Sequence, residues 1–158
     1  MSSDRHDSSA SDALSMVSVN RAVADLRRGS FVVIESQGEA TLTQAAETVT
    51  AESLERLGRS GQGQPRLAIT ANRARVLDFP ASTSPVVLLP ITGSVSADTV
   101  RSLVDPTWSP TLSRVASAPL LPQPIALLEA DDESCASAAI RLSKLAEMLP
   151  AAVTIPLG

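Results

Sequence analysis

Residues 29–57, GSFVVIESQGEATLTQAAETVTAESLERL, decide how the fold is read. Gly29 can end a preceding helix at its C′ position, and Phe31 to Ile34 follow as four consecutive apolar residues. Such a run reads as a buried strand, Phe31 to Glu35. It leads into a polar loop, Glu35-Ser36-Gln37-Gly38-Glu39. Ala40 to Ala46 suggest a second strand. Thr50 then caps a helix with Glu52 in its first turn and Leu54 and Leu57 facing inward. A loop at the carboxyl end of a strand is where α/β proteins place their chemistry, so the stretch also marks the first candidate site.

Working outward, the same alternation recurs. Ser18 is expected to cap a helix whose apolar residues Val19, Ala22, Val23 and Leu26 keep the helical period. Strands are expected at 67–70, 86–89, 125–129 and 153–155. Helices are expected at 71–77, after Ser96, and from Asp131 to a stop at Pro150. In the last of these, Cys135, Ala138, Ala139, Leu142, Leu145, Ala146 and Leu149 form one apolar stripe. GRSGQGQP (58–65) reads as a flexible connector. Five prolines between 106 and 124 make that stretch the least regular. Helices alternating with strands predict an α/β (α+β) fold, a mixed β-sheet with helices on its faces. Residues 1–15, small and polar, read as a disordered tail, leaving 16–158 as one domain.

Composition narrows the function. The chain has 158 residues, a net charge of −4, 44% hydrophobic but only 2% aromatic residues, one cysteine and one histidine. A core of Leu, Val, Ile and Ala suits helices packed on a sheet. Without a basic cluster beyond Arg27-Arg28, and with no Tyr, no nucleic-acid partner is expected. No apolar run approaches a membrane span, and the N-terminus lacks a signal-peptide core, so a cytoplasmic location is expected. His6, in the Ser/Asp-rich leader, reads as solvated, which removes histidine as a base or metal ligand. Cys135 reads as a small core hydrophobe.

No phosphate-binding glycine motif and no G-x-S-x-G elbow is present, and no serine has a histidine to activate it. Acidic groups remain. Glu35 and Glu39 flank the loop and could jointly hold Mg²⁺, although a solvated loop is the plainer reading. Asp131, Asp132 and Glu133 sit where a helix N-terminus already favours anions.

The order of these pieces is informative. NRAVADLRRGSFVVIESQGEATLTQAAETVTAESLERL (20–57), followed by RLAITANRARVLDFP (66–80), VSAD (95–98) and ASAAIRLSKLAEMLPAAVTIPL (136–157), resembles the 3,4-dihydroxy-2-butanone 4-phosphate synthase family of riboflavin biosynthesis. The resemblance implies an α/β domain, a homodimer with active sites at its two-fold interface, and a reaction on ribulose 5-phosphate assisted by a divalent metal. The chain departs from the family where that chemistry should lie. The acidic loop is shortened to Ser36-Gln37-Gly38-Glu39-Ala40-Thr41. The family's metal-binding histidine falls on Cys135, its neighbouring threonine on Ala136, and its third-strand cysteine on or near Arg66. The arginine expected after Asp98 is Thr99, with Arg101 further on.

The expectation is therefore a non-catalytic synthase-like domain with a structural, dimerisation or regulatory role, as found N-terminal to GTP cyclohydrolase II in some bacterial proteins. It carries no catalytic residues, no cofactor and no metal. Glu39, Asp98 and Arg101 are its vestigial ligand-binding candidates. The alternatives are a residual synthase using Glu39 and Asp98 as surviving acids, and a small-ligand regulatory module built on the old cleft.

Overall fold

The structure, a computed structural model, describes residues 4–93, 95–109 and 127–158, with side chains from Met16 onward. The elements run α1 (Asp4–Arg27), β1 (Val32–Ser36), β2 (Glu39–Ala45), a 3-10 turn (Ala46–Thr48), α2 (Ala51–Ser60) and β3 (Arg66–Thr70). Then come α3 (Ala71–Val76), β4 (Val86–Pro90), α4 (Ala97–Val104), β5 (Leu128–Ala130), α5 (Cys135–Leu145) and β6 (Ala151–Leu157). The strands form one six-stranded sheet in the order β1-β2-β6-β3-β4-β5. The α/β layer architecture is the expected one. Every ladder in the sheet is antiparallel, where a mixed sheet was expected.

The last strand lies in the middle of the sheet, paired with β2 on one side and β3 on the other. Both edges of β6 are therefore hydrogen-bonded and both faces covered, so Ala151 to Ile155 are buried without alternation.

In antiparallel pairs, directly opposed residues share a face and neighbours along a strand alternate. The registers accordingly divide the sheet into two unlike sides. One carries Leu67, Ile69, Val87, Leu89, Val153 and Ile155, packed with Leu57 of α2, Ala74 of α3 and Val100, Leu103 and Val104 of α4. Each fully buried aliphatic side chain there contributes about 1.5–3 kcal/mol. The opposite side carries α1 and α5. There Leu26 meets Ala45, Val32 and Leu142, while Ile140 and Ala136 meet Ala68 and Val86. Arg27 Nε donates to the Ala146 carbonyl at 2.8 Å, joining the two helices near their C-terminal ends.

Local chemistry sets the helix starts. Thr50 and Ser53 form a reciprocal cap, Thr50 Oγ1 accepting from Ser53 N at 3.1 Å and Ser53 Oγ from Thr50 N at 2.9 Å. Thr70 caps α3 and Ser96 caps α4 in the same one-sided way. Beyond α4, the Arg73 guanidinium donates to the carbonyls of Leu103, Asp105 and Trp108 at 2.7–2.9 Å, fixing that helix's exit.

Several expectations need correction. The first helix begins at Asp4 rather than after Ser18, so the backbone of 4–15 is helical where an unstructured tail was expected. No Pro or Gly interrupts residues 4–27, and a helix already nucleated further along extends at little cost per residue. The final helix starts one residue after Ser134 rather than at Asp131 and ends at Leu145, which is 62% exposed. The stretch 58–65 is not a free connector. Gly61 lies against β6, where an added Cβ would stand 2.6 Å from Ile155 Cγ2 and 2.7 Å from the Pro156 oxygen, and Gln62 N donates to that oxygen at 2.8 Å. Most of the proline-rich 106–124 stretch, and the first two residues of the expected 125–129 strand, lie outside the described residues.

Candidate functional site

The loop that opened the question is a two-residue hairpin. Ser36 pairs with Glu39, and Gln37 and Gly38 between them have φ of 52° and 77°. Positive φ at both central positions defines the type I′ turn that suits the twist of a β-hairpin. A glycine takes the second position without strain. The acidic loop is thus reduced to the shortest connection two antiparallel strands can have.

The register has a chemical consequence. Glu39 opposes Ser36 and Glu35 opposes Ala40, so the two glutamates project from opposite faces of the hairpin. They cannot share an ion. Glu39 and Ser36 stand on the side of α5, where Ser36 Oγ donates to the Glu133 carbonyl and Gln37 Nε2 to the Glu133 carboxylate, each at 2.5 Å. Of the acidic trio before α5, Glu133 is therefore a latch on the hairpin. Asp131 offers its carbonyl to the hydroxyls of Ser134 and Ser137, both at 2.6 Å. Ser134 in turn accepts from Ser137 N at 3.2 Å, capping α5.

Between the hairpin, the start of α5 and the middle of the sheet lies a cleft of about 420 Å³. Its wall includes Glu39, Thr41, Arg66, Ser134, Cys135 and Thr154. Glu39, Cys135, Ala136 and Arg66, scattered along the sequence, are here brought together. The Cys135 thiol is buried and turned to the main chain, with Ile34 O at 3.5 Å and Glu39 O at 3.6 Å.

Asp98 and Arg101 are elsewhere. They pair with each other on α4, across the sheet from the cleft, and Arg101 Nη1 donates to the Val49 carbonyl at 2.9 Å. Within one copy of the chain, Glu39 and Asp98 do not meet. Arg101 is a clasp between α4 and the segment before α2.

Thr154 was not singled out from the sequence, and Thr41 and Arg66 entered only as positions where the chain departs from the resembling family. Their signal was a polar residue set in or beside an apolar run, RLAI for Arg66 and AVTI for Thr154. Register alone decides that all three face the cleft. Thr41 and Thr43 lie on the same face, and so do Thr43, Thr154 and Arg66 in a row across three strands.

The donors in the cleft do not fit a hard divalent ion. Mg²⁺ takes carboxylates and water, whereas Glu39 is the only acidic side chain among the described residues of the wall and the other candidate is a buried thiol. Among the described residues no three His, Cys, Asp or Glu side chains are grouped to hold a metal.

A six-stranded antiparallel sheet with these helices is the 3,4-dihydroxy-2-butanone 4-phosphate synthase fold. A two-domain synthase, RibBX from A. baumannii, superposes with a TM-score of 0.68 at 21% identity, over 88% of this chain and 47% of that one. No protein-family profile matches the chain. In sequence it is 33% identical over 146 residues to a GTP cyclohydrolase-2 of Azospirillum brasilense, taking in 92% of this chain and 36% of that protein. It is 29% identical over 164 residues to riboflavin biosynthesis protein RibBA of Phocaeicola vulgatus, taking in 89% of this chain and 40% of the other. The chain thus carries a synthase-like domain related to proteins of riboflavin biosynthesis, and spans well under half the length of these curated relatives. Among the described residues, no helix is long and apolar enough to cross a membrane.

Proposed function

We propose that residues 16–158 act as a non-catalytic synthase-like domain in a riboflavin-biosynthesis protein, supporting the dimerisation, folding or regulation of a GTP cyclohydrolase II activity. The observation that carries this reading is the cleft's chemistry. Where the resemblance asks for an acidic loop and a metal-binding histidine, the chain has a two-residue turn and a thiol turned onto main-chain carbonyls. Proton abstraction and charge stabilisation at a ketose phosphate need a base and an electrophile placed together. Among the described residues, Glu39 is the only acid in the wall.

The domain is proposed to form a homodimer and to work in the cytoplasm, alongside a GTP cyclohydrolase II domain of the kind that names the Azospirillum brasilense relative. Incubation with ribulose 5-phosphate and Mg²⁺ should release no formate above a no-enzyme control. Enzyme-dependent formate would overturn the reading in favour of a residual synthase. Light scattering should give twice the chain mass, and a monomer at micromolar concentration would remove the dimerisation role.

The second reading, a regulatory ligand module, is favoured by one feature. The cleft is still open, and the side chains of Arg66 and Thr154 in its wall make no hydrogen bond or ion pair among the described residues.

A further inference from the structure

The hairpin tip that walls the cleft is tied to the rest of the fold through Glu133. β1 is an edge strand with β2 as its one neighbour, and β2 meets β6 only from Ala40 onward, opposite Leu157. The tip, Ser36 to Glu39, therefore projects beyond the ladder between β2 and β6. Among the described residues, its side chains make two hydrogen bonds outside the hairpin, and both end on Glu133. Ser36 Oγ reaches the carbonyl and Gln37 Nε2 the carboxylate. Glu133 lies in the turn between β5 and α5. The bonds thus join two parts of the cleft's rim, Gly38 and Glu39 from the hairpin and Ser134 and Cys135 from the start of α5.

Gln37 is an awkward residue for its place. Its φ of 52° lies in the left-handed region, where Asn, Asp or Gly is the usual occupant of such a turn. Asn would hold the same backbone with less strain, but its side chain is one methylene shorter. The extra reach of Gln37 is used on a carboxylate, a charge-assisted partner. Strain held at a position whose side chain makes a specific distant contact points to a role for that contact. Beneath the hairpin lies Cys135, 3% exposed, its sulfur 3.5 Å from Ile34 O on one strand and 3.6 Å from Glu39 O on the other. Lifting the tip uncovers this thiol and widens the mouth of the cleft.

We propose that the β1–β2 tip is a lid on the cleft, with the Gln37–Glu133 hydrogen bond as its catch and Ser36 as a second, weaker hold. Opening is local, because the tip lies beyond the β2–β6 ladder and the packed side of the sheet is untouched. The lid gives the ligand-module reading above a means of controlling entry, and rests on that reading only for what enters.

Cys135 is the one cysteine of the chain, so its alkylation by iodoacetamide reports opening directly. In the native chain the thiol should react much more slowly than free cysteine, at a rate that stays flat in low urea, since local opening exposes little surface. Gln37→Asn should raise the rate about fivefold to tenfold, the scale of one hydrogen bond to a charged group. Its melting temperature should stay the same or rise, because the turn improves as the reach is lost. Glu133→Ala should speed alkylation by a similar factor. Gln37→Asn combined with Glu133→Ala should add nothing further, because both remove the same bond. Ser36→Ala should raise the rate about twofold to fivefold.

Asp132→Ala removes a like charge from the same turn, and the Asp132 side chain makes no hydrogen bond or ion pair among the described residues. It should leave the rate unchanged. A native thiol as reactive as free cysteine would overturn the lid, as would a rate that climbs with urea in step with global unfolding. An unchanged rate in Gln37→Asn, or equal effects of Glu133→Ala and Asp132→Ala, would overturn the catch. The formate assay is separate: formate release from a chain whose thiol behaves as expected would reject the non-catalytic reading and leave the lid standing.

Discussion

The two sides of the sheet are built from the same strands to different ends. On the side of α2, α3 and α4, alternate strand residues are Leu, Ile and Val, and most are fully buried against helix side chains. On the side of α1 and α5 the corresponding alternate positions include Thr41, Thr43, Thr154 and Arg66, and the start of α5 stands off far enough to leave a cleft. One side is committed to packing. The other keeps Thr and Arg side chains that open onto the cleft, which apolar packing alone would not select. The comparison teaches that the stability of the fold and the capacity of the cleft are carried by opposite faces of the sheet, so they can be altered separately.

The largest expected effect tests that separation directly. Leu67→Ala removes a fully buried side chain from the packed side and should destabilise by about 2–5 kcal/mol in urea unfolding. Thr154→Val replaces an unpartnered hydroxyl by a methyl of similar shape and should change stability by no more than about 1 kcal/mol. If Thr154→Val proved as damaging as Leu67→Ala, both faces would be packing surfaces and the contrast would fail.

A smaller effect is expected at the rim of the packed side. An added methyl at Gly61 would stand 2.6 Å from Ile155 and 2.7 Å from the Pro156 oxygen, and the latter is backbone that cannot rotate away. Gly61→Ala should therefore lower stability by about 1–3 kcal/mol, as overpacking does. An unchanged melting temperature would return 58–65 to the status of a free connector. Gly63→Ala would make a poor control, since its φ of 79° is strained for a side chain in its own right.

The smallest effect concerns an edge strand. Glu129 on β5 accepts from Ser82 Oγ at 2.7 Å and Thr83 N at 3.0 Å. These bonds, the Ser82 hydroxyl first, hold its carboxyl below the ordinary value of 4.5. A depressed carboxylate stabilises the fold fully above its unfolded pKa, and this contribution is lost as pH falls through the folded value. The difference in melting temperature between the native chain and Glu129→Gln should thus be constant near neutrality and shrink below about pH 4.5. A difference that grew in acid would contradict the assignment. The carboxylate is solvent-exposed, so the effect should also weaken in high salt.

Much of this architecture was legible in the chain because it is local. Thr50, Thr70 and Ser96 announced their helices as side-chain caps, and Phe31 to Ile34, Leu67 to Thr70 and Val86 to Leu89 announced strands by apolar runs. The final helix misled at both ends. Its apolar stripe continued past Leu145, but Glu147, at φ 57°, takes the chain out of the helix, and the turn that follows delivers it into β6. The hairpin was missed for a similar reason. Gln-Gly is a weaker turn signal than Asn-Gly, so a two-residue connection was read as a five-residue polar loop, Glu35 to Glu39.

The candidate site divides along the same line. Residue types alone limited histidine to His6 and set the expectation that the acids and metal ligands of the resembling family are depleted, because a substitution removes a functional group wherever the backbone goes. Only tertiary structure decided which surviving groups meet. Strand register set Glu35 and Glu39 on opposite faces, put Arg66 beside Thr154 under the first turn of α5, and left Asp98 and Arg101 across the sheet. Register depends on long-range pairing of β2, β3 and β6, and a slip of one residue would exchange every face. No periodicity within a single strand contains that information.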